Sequence, residues 1–188
     1  MSDDLSDDPG WQLSWKTVVS ALVPGGRLGA AKNGAKDSLQ ALRSSFVGFC
    51  AAVVLIGGVV LILGDLDPEQ PDRPALAVPV VVGVGVVCLA LQRIVPGPLD
   101  CSTPATLAAT YRTRFFLRIA FAEAVSLVAF VLYISIGPGW VYAVGLAFTL
   151  FGFSVAAPRR ARLRADQDAL SLNGCTLSLI AALRAPSS

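Results

Sequence analysis

Apolar residues run along this chain in long, nearly uninterrupted blocks, with polar residues gathered between them. Four blocks reach membrane length: about 46–64, 75–95, 115–136 and 140–157. About 20 residues at 1.5 Å rise cross a hydrocarbon core of roughly 30 Å, so each block is long enough to span a bilayer as a helix. The blocks lack the two-residue alternation of an outer-membrane barrel, and an open sheet would leave its backbone unsatisfied in lipid. The pattern predicts an all-α fold, an integral membrane four-helix bundle made of two transmembrane hairpins, with short amphipathic N- and C-terminal cytoplasmic helices. Pro79, near the start of the second span, is expected to cause at most a small kink.

The polar connections orient the bundle. The first connection, Asp65 to Pro74, carries four acids and one arginine, and the last is only Gly137-Pro138-Gly139. Lys32, Lys36 and Arg43 precede span one, Arg93, Arg112 and Arg114 lie between spans two and three, and Arg159, Arg160, Arg162 and Arg164 follow span four. By the positive-inside rule, these three groups lie on one side, which places both termini in the cytoplasm of a bacterial plasma membrane. The domains read as a cytoplasmic segment 1–44, a membrane domain 45–157 and a basic tail 158–188.

The flanking segments have patterns of their own. Met1 to Asp8 is acidic and no short apolar core follows, so a cleavable signal peptide is not expected. Trp11, Trp15, Val18, Val19 and Leu22 share one helical face, suited to the membrane interface or to the cytoplasmic end of the bundle. Near the other end Asn173-Gly174 predicts a turn, and Leu177, Ile180 and Leu183 a short helix closing at Pro186. Such a piece is too short to stand alone in water and is expected to dock on the chain's own surface.

Composition agrees with a membrane protein: 54% of the 188 residues are hydrophobic and 15% charged. Arginine outnumbers lysine, and Ala, Gly and Val are abundant, a codon-usage signature of a GC-rich bacterial genome. The chain has no histidine, which removes Ser-His-Asp and Cys-His catalysis and the usual zinc sites. Cys101 and Cys175 fall in segments assigned to the reducing cytoplasm, Cys50 and Cys88 in spans, and no disulfide is expected. Asp3, Asp4, Asp7 and Asp8 read as a solvated tail rather than a metal site. Gly83 and Gly85 follow an apolar helix, not the strand a phosphate loop requires. Gly48 with Ala52, and Gly145 with Thr149, read as points of close helix approach. No catalytic, cofactor or metal site is expected, an enzyme is not expected, and the partners implied are the lipid bilayer and a homo-oligomer or membrane-complex partner, with no nucleic acid.

One residue breaks the apolar pattern most sharply. Glu123 lies roughly 12 Å inside the third span from Phe115, where a carboxylate costs about 2.5 kcal/mol or more on insertion scales. It shares a helical face with Phe116, Ile119, Ala120, Ser126, Leu127 and Phe130. Arg118 is five positions away, on another face, and reads as an anchor whose long stem reaches the headgroups, with Arg159, Arg160, Arg162 and Arg164 as the basic interface belt. A neutral, hydrogen-bonded Glu123 is expected at pH 7, with Ser126, Tyr142, Thr149 and Ser154 as candidate partners.

The stretch Ile119-Ala120-Phe121-Ala122-Glu123-Ala124-Val125-Ser126 resembles the carboxylate-bearing helix of the proteolipid, or c, subunit of rotary ATPases. There an acidic residue in a similar apolar setting binds and releases the transported ion, and the resemblance implies proton binding for Glu123. It covers about 20 residues, and the partner helix lacks the family's dense glycine and alanine pattern. As a whole the chain is similar to small polytopic membrane proteins of high-GC bacteria. The residues themselves favour a structural or accessory role for Glu123 in helix packing over a small proton-coupled carrier. A lipid-handling role for the basic belt is a third reading.

Overall fold

The structure, a computed structural model, describes residues 38–66, 74–135 and 138–185. The tryptophan-bearing N-terminal pattern, Lys32 and Lys36, the four N-terminal aspartates and the loop 67–73 lie outside the described residues. Six helices follow in chain order: α1 (Ser38–Leu66), α2 (Pro74–Ile94), α3 (Pro104–Ser135), α4 (Trp140–Ala156), α5 (Arg160–Leu172) and α6 (Leu179–Arg184). No strand occurs among the described residues. Three helices are long and apolar enough to cross a membrane, within Leu39–Gly64, Ala75–Ile94 and Pro104–Ser135, and α4 with α5 makes a fourth if the pair is one broken span.

Two helices start well ahead of the expected spans, the first at Ser38, eight positions before Phe46. The third helix begins at Pro104, eleven positions before Phe115, so Arg112 and Arg114 stand on a helix and not in a loop. Its start is local chemistry: Thr106 N–H donates to Thr103 Oγ1 at 3.1 Å and Thr103 N–H to Thr106 Oγ1 at 3.0 Å, a reciprocal cap ahead of a proline at the first helical position. The fourth helix ends at Ala156, and Pro158 lies in the short break before α5.

The chain forms two compact units. The apolar unit comprises Phe49–Gly97 and Phe115–Ala156. Within it α4 is the helix on which the others converge. Tyr142 donates to Val53 O of α1 at 2.8 Å, and Thr149 donates to Ala122 O of α3 at 2.8 Å. Glycine admits the backbones: a Cβ on Gly145 would overlap Ala129 Cβ of α3, and one on Gly152 would fall 2.7 Å from Ala122 Cβ. On α2, a Cβ at Gly85 would lie 2.6 Å from the Phe148 ring. Gly145 and Thr149 are thus at close approach, as their spacing implies, and Gly152 extends the row by three positions. Gly48 is not, since a Cβ there meets nothing within 4 Å. Lipid offers no water-driven incentive to pack, so small residues and hydrogen bonds to carbonyls carry the association. Large side chains on the outer faces of α1 and α2, among them Val54, Leu61, Ile62, Leu76 and Val86, remain exposed, as a lipid-facing surface requires.

The polar unit comprises, among the described residues, 38–48, Pro98–Arg114 and 157–185. Helix α5 carries Arg160, Arg162 and Arg164 near its N-terminus, where cations oppose the macrodipole, and its N-cap Arg159 makes no side-chain cap. Tertiary contacts must therefore hold it. Leu163, Asp166 and Leu170 form its buried stripe. Its end is a Schellman turn: Gly174, at φ 81°, donates to Ser171 O at 3.0 Å, and Cys175 N–H donates to Leu170 O at 3.0 Å. Ser178 then caps α6, accepting from Ala181 N–H at 3.3 Å. Gln167 binds both sides of that cap, donating to Leu177 O at 3.2 Å and accepting from Leu179 N–H at 2.7 Å. Leu179, Ile180, Ala182 and Leu183 are buried.

Candidate functional site

The packed stripe of α3 runs through Phe115, Ile119, Ala122, Val125, Ser126, Ala129 and Tyr133, all buried. Apart from the adjacent pair Val125 and Ser126, these positions recur every three or four residues, as one helical face must. Glu123 lies one step to the side of that stripe. Its neighbours one turn away divide evenly: Ile119 and Ser126 are buried, Ala120 and Leu127 exposed. The carboxyl therefore stands half-buried on the margin between the face packed in the bundle and the face left outward.

None of its expected partners binds its side chain. Ser126 Oγ donates to the backbone oxygen of Glu123 at 2.9 Å, an ordinary i to i−3 bond within the helix. Thr149 and Tyr142 donate to Ala122 O and Val53 O, and Ser154 donates to Phe151 O at 2.7 Å on its own helix. The physical reason is register. Close approach at Gly145 and Gly152 brings α4 against Ala129 and Ala122, so the Thr149 hydroxyl between them meets the Ala122 side of α3 and not the Glu123 side.

Arg118 also departs from its expected role. It occupies the packed stripe with Phe115 and Ala122, and its side chain is only 7% exposed, whereas a snorkelling side chain would extend outward. Its carbonyl accepts a hydrogen bond from Gln92 Nε2 of α2 at 2.6 Å, and the same amide lies 3.2 Å from Gly152 O of α4. Gln92, 2% exposed, thereby ties three helices together at one point. Sequence reasoning passed over it. The available signal was a single amide at the end of an apolar run, next to Arg93.

The basic belt divides in the polar unit. Arg159, Arg160 and Arg164 are exposed, as a surface belt requires, but Arg162 is half-buried and faces Asp166, its Nε 3.6 Å from Oδ2. Arg114 approaches the other oxygen, at 3.9 Å. Both separations are too long for direct hydrogen bonds, and Asp166 Oδ2 and Arg114 Nε are buried without a hydrogen-bond partner. Asp166 takes the middle place in the Leu163 and Leu170 stripe, a signal readable as an acid at an apolar helical position.

A half-open cavity of about 260 Å³ lies against this group, lined among others by Leu99, Cys101, Arg114, Asp166, Asn173 and Cys175. Cys101 and Cys175 are joined by a disulfide, with Cα atoms 6.0 Å apart across 74 positions of sequence. This corrects the expectation of free thiols, which rested on compartment alone. Folding brings the two segments to bridging distance, and sequence spacing gave no sign of it. Cys50 and Cys88 are free. Among the described residues, no three metal-ligating side chains come together. Compared with known proteins, the chain matches no family model, no curated protein and no solved structure.

Proposed function

We propose that the chain is a structural or accessory multi-pass membrane protein, and that Glu123 serves contact between its bundle and a neighbouring membrane helix, in a homo-oligomer or a membrane complex. The observation that carries this reading is the unused carboxyl of Glu123. It stands at the edge of the packed face with no side-chain hydrogen bond among the described residues, while Gln92, Ser126, Tyr142, Thr149 and Ser154 all bond to backbone carbonyls. A carboxyl in lipid gains from a donor or acceptor on another helix, and such bonds contribute about 1 kcal/mol in membranes. The role is not enzymatic and involves no nucleic acid. The bundle resides in a bacterial plasma membrane with both termini cytoplasmic, an orientation supported by the distribution of arginine.

The test is the assembly state of the full chain in nanodiscs, read by native mass spectrometry. Glu123→Gln keeps a hydrogen-bonding group and should assemble as the parent does. Glu123→Leu should shift the population towards monomer while leaving the thermal melt of the bundle within about 0.5 kcal/mol. Equal assembly of Glu123→Leu and the parent would overturn the reading.

A second reading rests on the same half-exposed position together with the likeness to the proteolipid subunit helix. There Glu123 exchanges a proton in a small proton-coupled element. Proton flux into proteoliposomes, abolished by Glu123→Gln and by dicyclohexylcarbodiimide, would favour it over the first.

A further inference from the structure

Helices α2 and α4 lie side by side and run in the same direction, since Gly85 packs against Phe148 and, further along both, Gln92 reaches Gly152. The outward face of this pair is not filled. Two adjoining hollows follow it, both within the apolar unit. The first, of about 370 Å³ and shallow, is lined by Leu89, Ala147, Phe148 and Phe151. The second, of about 290 Å³, shares Leu89 and Phe151 and reaches Gln92, Arg93 and Val155. From Ala147 to Val155 is eight positions of α4, roughly 12 Å at 1.5 Å per residue. That is close to the depth of one leaflet in a hydrocarbon core roughly 30 Å thick.

The two ends of this groove differ in chemistry. Its wall is apolar up to the last turn of α2, where Arg93 stands one residue before the end of the apolar stretch Ala75–Ile94. Arg93 is exposed, and its guanidinium makes no hydrogen bond or ion pair with another described residue. No acid lines either hollow, and neither do the exposed arginines of the basic belt. The Gln92 amide is already engaged with Arg118 O and Gly152 O and closes the floor. A free cation at the end of an apolar slot of one leaflet's length is complementary to a phosphate carried on an acyl chain. Guanidinium binds phosphate oxygens through paired N–H donors.

We infer that the groove between α2 and α4 is a binding site for one anionic phospholipid, with an acyl chain along Leu89, Ala147 and Phe151 and the phosphate on Arg93. Basic pockets between membrane helices hold acidic headgroups in the same way. The inference rests on the membrane reading given above and not on the role of Glu123. Lipid against the outer faces of α1 and α2 meets side chains on one side only. In the groove two helices flank the chain, and an ion pair is added at its head.

The experiment uses the full chain in nanodiscs of phosphatidylcholine with a trace of phosphatidylglycerol carrying a photoactivatable diazirine in its acyl chain. Cross-links are mapped by peptide mass spectrometry, and phosphatidylcholine with the same label is the reference. Label is expected to concentrate on Leu89, Ala147 and Phe151, about fivefold more from phosphatidylglycerol, the factor contributed by one arginine at an anionic headgroup. Arg93→Gln should bring the two lipids level. Ala147→Leu, at an exposed position that spares the core, should lower groove labelling by both. Label spread evenly to Leu61 and Leu76 on the outer faces, equal groove labelling by the two lipids, or an Arg93→Gln chain that behaves as the parent would each overturn the inference. So would a groove left unlabelled because a second copy of the chain covers it. Carbonate washing separates this inference from the reading beneath it: a chain that washes out of membranes overturns both, whereas a retained chain with even labelling overturns only the lipid site.

Discussion

The apolar and polar units of this chain reach order by opposite means. In the apolar unit, hydrogen bonds from Thr149, Tyr142 and Gln92 end on backbone carbonyls, and the helices touch where glycine removes a side chain. Each of these three hydrogen bonds runs from a side chain to main chain. In the polar unit a buried acid faces two arginines, a glutamine clamps a short helix, and a disulfide closes a long loop. The difference follows from solvent. On the membrane reading the outer surface of the apolar unit meets lipid, where burial of apolar area gives no net drive and contact distance decides stability. Where water competes, a 13-residue helix with misplaced charges needs tertiary fastening.

Enlarging α4 at its closest approach gives the strongest test of that contrast. Gly145→Leu forces α3 and α4 apart at Ala129 and Val125, and should cost about 3 kcal/mol or more. Thermal unfolding in detergent, followed by a thiol-reactive dye on Cys88, measures it; a near-neutral result would mean that the approach does not limit packing. In the polar unit, Gly174→Ala places a Cβ in the left-handed region and should cost about 1 kcal/mol. Its effect belongs to residues 160–185, so hydrogen exchange should rise there and not in α4. The smallest effect is expected from Gln92→Leu. It removes bonds to carbonyls of Arg118 and Gly152 that also serve their own helices, at about 0.6 kcal/mol for a typical interhelical membrane bond. A loss several times larger, measured by the same melt, would show that the amide and not glycine governs the three-helix junction.

Much of the apolar unit was legible in sequence because hydropathy length and glycine position act locally. Three of the four apolar blocks match helices long and apolar enough to cross a membrane, and the Gly145 and Thr149 pair anticipated the contact of α4. Less of the sites was legible. Glu123 stood out by its cost in lipid, but helical geometry alone allowed it to face either the bundle or its outside. Arg118 read as a surface anchor because its stem is long, yet a shift of one position along α3 decides whether a side chain is packed or outward. Asp166 and Gln92 were passed over because each is a single polar residue whose meaning lies in what packs beside it.

The sequence by itself determined an all-helical chain with helices long and apolar enough to cross a membrane, an uneven distribution of arginine, and a carboxyl deep in the third apolar block. Those are properties of composition and period, carried by residues near one another in the chain. Tertiary structure decided which flank of α3 Glu123 occupies, that Gln92 joins α2, α3 and α4, and that Cys101 meets Cys175 across 74 positions. Each of these depends on the register between segments distant in sequence, which is set by where backbones approach and not by any local pattern.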